Sequence, residues 1–236
     1  MPNPATPIVN GNVGLFFSRQ QASAAGAYFL AQNATPGTAL QTGTATAFSA
    51  TANGLVTVTN NNPLTSGINV YMDYIKLMMS GTAPTATTVM HFNLIRDAVA
   101  GVSPTAGNVA LTVTNVNGNS AATSSNVAVN VPTGAPATGM TIPAATSAAV
   151  NMGRASIATS LGITGDIYVL QFGGNFVDMG TMGGGTAVRA TAAARLGDQT
   201  VPAILAPGQG LVVNMWWLTQ ATTKPSFEYE IGLMVY

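Results

Sequence analysis

Three observations predict an all-β chain folded as a jelly-roll-type β-sandwich: roughly seven to nine short stretches of alternating apolar residues, Gly, Pro and Asn turns between them, and only two weak helical patches. No fixed-period repeat stands out, which disfavours a propeller or solenoid. The expected layout is an extended N-terminal arm over residues 1–50, followed by a single sandwich domain with long loops over residues 51–236. A length of 236 residues suits one domain of this kind.

In the arm, four prolines fall by position 36 and no alternation is sustained. Ser18 and Gln21 fit a capping box ahead of ASAAGAYFLAQ, which predicts one short helix weakened by Gly26 at its middle. An apolar arm that buries itself poorly is expected to dock on a neighbouring subunit or partner; a frayed terminus is the simpler alternative. Deleting residues 1–47 is expected to leave the sandwich folded.

From residue 54 the pattern becomes β. GLVTVTN (54–60) alternates and is closed by the turn-forming NNP. INVYMDYIKLMMSG (68–81) reads as a long strand, with VMHFNLIRD (89–97) as its hairpin partner across GTAPTATT. In VALTVTNV (109–116), Val109, Leu111 and Val113 are expected inward and the threonines outward. Residues 117–147 are rich in Asn, Ser, Thr, Gly and Pro and read as loops around one strand at NVAVNV (126–131). DIYVLQFG (166–173) is a further strand. The glycine cluster at 173–185 follows, then AVRATAAARLG (187–197), whose alanines and final glycine suit a short helix. LVVNMWWL and SFEYEIGLMVY are expected to form a closing hairpin. In the latter, Phe227, Tyr229, Ile231, Leu233 and Val235 share the core face, and Glu228, Glu230, Gly232, Met234 and Tyr236 share the other. Trp216 and Trp217 are adjacent and must point oppositely, so one fills the core and the other needs a cover.

Composition narrows the function. Only 6% of residues are charged, against about 25% in ordinary domains. Seven basic and seven acidic residues cancel. Such a surface suits coverage by other protein better than dispersal as a monomer, which normally relies on interspersed charge. A 47% hydrophobic content argues against disorder. Basic residues are too few and too scattered for a nucleic-acid face. No run of about 18 apolar residues suggests a membrane helix, and MPNPATPIVNGN lacks the features of a secretory signal, so synthesis in a host cytoplasm is expected. The absence of cysteine excludes disulfides, thiol catalysis and zinc–thiolate sites.

No catalytic constellation is visible, and no cofactor or metal is expected. Glu228 and Glu230 lie on one strand face about 7 Å apart, which is compatible with a carboxylate pair, but their alternation with Phe227, Tyr229 and Ile231 is also that of a half-solvated strand. His91 is the only histidine and reads as a solvent-facing strand residue. GTMGGG (180–185) lacks the G-K-[ST] ending of a phosphate loop. Aspartates beside glycine in GDIY, VDMG and GDQT lack the spaced ladder of a calcium loop.

The pattern APGQGLVVNMWWL followed by FEYEIGLMVY, in a charge-poor, cysteine-free chain with Thr-, Ala- and Asn-rich loops, resembles the end of the jelly-roll auxiliary proteins of tailed bacteriophages, the decoration or cement proteins of the outer capsid. The resemblance implies a non-enzymatic virion protein on the outer capsid surface. It would act as a homo-oligomer, usually a trimer, that binds the major capsid protein and stabilises the shell. The expected interface residues are Phe16, Phe17, Tyr28 and Phe29 in the arm, with Trp216 and Trp217 near the end. The competing expectation is a phage tail or fibre domain, or lectin-like module, that binds host glycans through loop aromatics and asparagines; an enzyme on a β-scaffold runs third.

Overall fold

A computed structural model describes residues 21–43, 47–81, 88–97, 103–118, 126–134, 139–144, 150–159, 164–172, 177–179, 203–217 and 225–236. The strands are β1 (Tyr28–Gln32), β2 (Leu40–Gln41), β3 (Gly54–Asn60), β4 (Val70–Met79), β5 (Thr88–Asp97), β6 (Asn108–Ala110), β7 (Thr112–Asn115), β8 (Val127–Pro132), β9 (Val150–Thr159), β10 (Ile167–Gln171), β11 (Val177–Met179), β12 (Ile204–Leu205), β13 (Gly210–Trp217) and β14 (Ser226–Val235). They form two antiparallel sheets. One runs β11-β10-β4-β14-β1-β7, with β12 also on β4 and β2 on β14; the other runs β6-β8-β3-β13-β5-β9. The all-β expectation holds, and the chain is an antiparallel sandwich with almost no helix.

The core lies between the sheets. β14 contributes Phe227, Tyr229, Ile231 and Leu233, all buried, with Val235 packed at the margin, as its alternation predicts. They meet Val56 and Val58 of β3, Val129 and Val131 of β8, and Leu211, Val213 and Met215 of β13. β3 is buried along its whole length because its outer side is also covered. There the segment carrying Met140 and Ile142 packs on Val212, and the Gly54 amide donates to the Met140 carbonyl at 3.3 Å. A Cβ on Gly54 would sit 2.9 Å from Met140 Cε and 3.1 Å from the Met140 carbonyl oxygen, so a side chain here would press on the crossing segment.

Five expectations change. Residues 21–43, assigned to the arm, belong to the sandwich: β1 pairs with β14 on one side and β7 on the other. Deleting residues 1–47 would therefore remove an interior strand of the sheet. The predicted helix over ASAAGAYFLAQ shrinks to one turn at 21–24, and YFLAQ is strand instead, because Phe29 and Ala31 gain a core face that outweighs local propensity. β4 and β5 are not a hairpin, since β4 pairs with β14, β10 and β12 while β5 pairs with β13 and β9. β13 and β14 likewise lie in opposite sheets. VALTVTNV breaks at Leu111, which is buried while Val109 is exposed, and the chain changes sheets there. The helix expected at 187–197 and most of the glycine cluster lie outside the described residues.

Candidate functional site

The side of the β14 sheet turned away from the core carries the most distinctive side-chain arrangement among the described residues. The strand register sets it out in rows. Ile204, Tyr71, Met234 and Tyr28 form one row across β12, β4, β14 and β1. Tyr74, Gly232 and Leu30 form the next. Val169, Lys76, Glu230 and Gln32 form a third, and Ile167, Met78 and Glu228 a fourth.

The first row is apolar. Tyr28 and Met234 are buried with Ala22, and Ala27, Leu30 and Tyr71 pack against them. At its open end Ile204 is 41% exposed and Tyr236 is 51% exposed, with the Tyr236 ring edge-on to Tyr71 at a centroid distance of 6.0 Å. Partial burial, and then the charge of a neighbouring Tyr71 phenolate, push the Tyr236 phenol up from its ordinary value.

The second row depends on Gly232. An added Cβ would sit 2.5 Å from Tyr74 Cε1 and 2.6 Å from the Tyr28 hydroxyl, so both rings lie over the glycine. The register shifts between Gly232 and Leu233, which leaves Asp73 as an extra residue in β4. The buried Asp73 carboxylate accepts the Tyr28 hydroxyl at 2.7 Å. In the third row Glu230 is a hub: it accepts Tyr74 O–H at 2.7 Å and Gln32 Nε2–H at 3.1 Å, and Lys76 Nζ lies 3.6 Å away. Glu228 accepts the Gly37 amide at 3.0 Å. Both glutamates are thus engaged in ties between strands and loops. Among the described residues, no group of three His, Asp or Glu side chains is placed to hold a metal ion.

The expected interface residues separate. Tyr28 and Phe29 are buried inside the chain, Tyr28 by its bond to Asp73 and Phe29 by the core, so neither presents a surface to a partner. Phe16 and Phe17 lie outside the described residues. Trp216 is half-buried on the outer side of the β13 sheet, opposite to Val213 and Met215, and Phe48 covers it edge-on at 5.1 Å. The backbone of Trp217 pairs with Met90, and its side chain is outside the described residues. His91 pairs through its backbone with Trp216.

Asparagines in loops are the expected mark of a glycan site; among the described residues, several asparagines in loops and at strand ends are engaged internally. Asn60 Nδ2 donates to the carbonyls of Ile68 and Leu205, both at 2.9 Å, and Asn60 Oδ1 accepts from Asn62. Asn126 Nδ2 reaches Asn62 Oδ1, and Asn126 itself adopts φ 48°, in the left-handed region that Asn tolerates. Asn115 and Asn117 tie to the carbonyls of Gly26 and Ala24. Asn33 accepts the Tyr229 amide at 2.8 Å and donates to the Thr38 carbonyl.

These features define a class: an antiparallel β-sandwich whose outer β14 face ends in an exposed apolar edge at Ile204 and Tyr236. No protein-family model matches the chain, and no curated protein or solved structure matches it.

Proposed function

We propose that the protein is a virion structural component, a capsid decoration or cement protein that binds the major capsid protein on the outer shell as a homo-oligomer, with a trimer the expected assembly. In this reading it is not an enzyme and needs no cofactor. The observation that supports it is the nature of the surface. The chain has only fourteen charged side chains for a surface of 11975 Å², at most roughly one per 850 Å², far fewer than a dispersed monomer carries. The outer face of the β14 sheet ends in exposed Ile204 and Tyr236. Surfaces of this kind favour burial against protein. Successive strands that switch repeatedly between the two sheets, as β3, β4 and β5 do and as β13 and β14 do, support the jelly-roll form of the sandwich.

Co-sedimentation of the purified protein with undecorated capsids tests the reading. Saturable binding and a rise in capsid heat resistance are expected. Absence of binding, together with saturable binding to host polysaccharide, would favour the second reading, a glycan-binding tail or fibre module. One observation speaks for that alternative: the Tyr236 ring is open enough to stack on a sugar. The internal bonding of the described asparagines speaks against it.

A further inference from the structure

We propose that residues 1–20 of one copy lie on the Ile204–Tyr71–Tyr236 end of the β14 sheet in a second copy, and that this exchange holds the oligomer together. The inference concerns self-association and stands whether or not a capsid is the eventual partner.

Three observations converge on it. First, the segment joins the fold at this very face: Ala22, one residue into the described chain, is fully buried against Tyr28 and Met234. Second, its chemistry matches. Residues 1–20 carry Ile8, Val9, Val13, Leu15, Phe16 and Phe17 and a single charged side chain, Arg19, while the row they would cover holds no charge. Third, its length suffices. Twenty residues in extended form span about 66 Å, whereas a sheet six strands wide is about 24 Å across. The segment can cross its own sheet and still reach a neighbour.

The single chain leaves Tyr236 at 51% and Ile204 at 41% exposure, so the surface remains open to a second copy. Mutual donation by identical chains closes the assembly symmetrically, each copy giving one segment and receiving another.

The cysteine-free sequence makes the test direct. Two single variants, Phe16→Cys and Tyr236→Cys, are mixed at equal concentration and mildly oxidised. A disulfide-linked species of twice the chain mass, containing one copy of each variant, is expected. The pair Phe16→Cys and Val150→Cys, with residue 150 exposed on the other sheet, is expected to give none. In parallel, light scattering follows the full chain, a form lacking residues 1–20, and the double variant Ile204→Ser/Tyr236→Ser. Both altered forms are expected to fall to the 23.8 kDa monomer or close to it while circular dichroism keeps its β signature. The proposal is overturned by a full chain that is monomeric at high micromolar concentration, or by oligomers unchanged in both altered forms. Cross-linking that occurs only within a doubly substituted chain at high dilution would also overturn it. Capsid co-sedimentation is scored separately, so either reading can fail while the other survives.

Discussion

Inside β14, Tyr229 is almost fully buried and its hydroxyl has no hydrogen-bond partner among the described residues, an arrangement that costs about 1–3 kcal/mol in lost hydration. Tyr229→Phe keeps the ring and removes the cost, so a rise in Tm is expected, about 2–4 °C for each kcal/mol recovered. Burial also raises the phenol above its ordinary value. Because the folded form holds the proton that the unfolded chain loses, the group is silent below about pH 10 and stability falls above it, by up to about 1.4 kcal/mol per pH unit. Thermal melts of the two proteins at pH 7 and pH 11 are expected to show a gap that widens at the higher pH; a gap that stays constant would refute the assignment. Gly232 makes the opposite case. Gly232→Ala pushes a methyl group into Tyr74 and Tyr28, and a loss of about 1–3 kcal/mol is expected in urea melts. At this scale the alternation of β14 made the core face of Tyr229 legible. The role of Gly232 was not, because the rings that cover it come from strands about 160 and 200 residues away in sequence, which periodicity does not register.

Strands were read more reliably than their partners. β3 matched its predicted bounds at residues 54–60 because alternation and the NNP turn agree locally. The supposed hairpins β4–β5 and β13–β14 failed for one reason: a short connection between two strands is equally compatible with pairing in one sheet and with crossing to the other, and only the completed core decides. β1 was hidden by an Ala-rich context that resembles helix. Its place between β14 and β7 sets an expectation for hydrogen exchange. Amides of β14, flanked by β4 and β1, should exchange slowest, and those of the edge strands β7 and β6 should exchange earlier. Exchange measured by mass spectrometry on peptides covering residues 226–235 and 108–115 checks this; equal rates would contradict the described strand order.

For the whole molecule, sparse charge was the most legible property and remains the basis of the functional reading. Its corollary is an assembly indifferent to salt. Raising sodium chloride from about 0.1 to 1 M, which shortens the screening length from about 10 to 3 Å, should leave oligomer mass unchanged, and sulfate should strengthen association. Dissociation in high sodium chloride would show that ion pairs carry the interface. The exposed end of the tyrosine face was not legible in the sequence, because Ile204, Tyr71 and Tyr236 meet only through the register of β12, β4 and β14. The pairing of β1 with β14 also bears on how the chain is made. Tyr28 faces Met234 in the ladder, so β1 emerges from the ribosome long before its partner exists. At roughly 5–20 residues per second, about 10–40 s pass before the two strands can meet. During that interval β1 can pair only with its other neighbour, β7, and the first described strand to be translated completes its pairing only when β14 arrives. Such distant pairing slows folding, so a holding chaperone that binds the nascent segment around residues 28–32 would be expected to raise the yield of native protein.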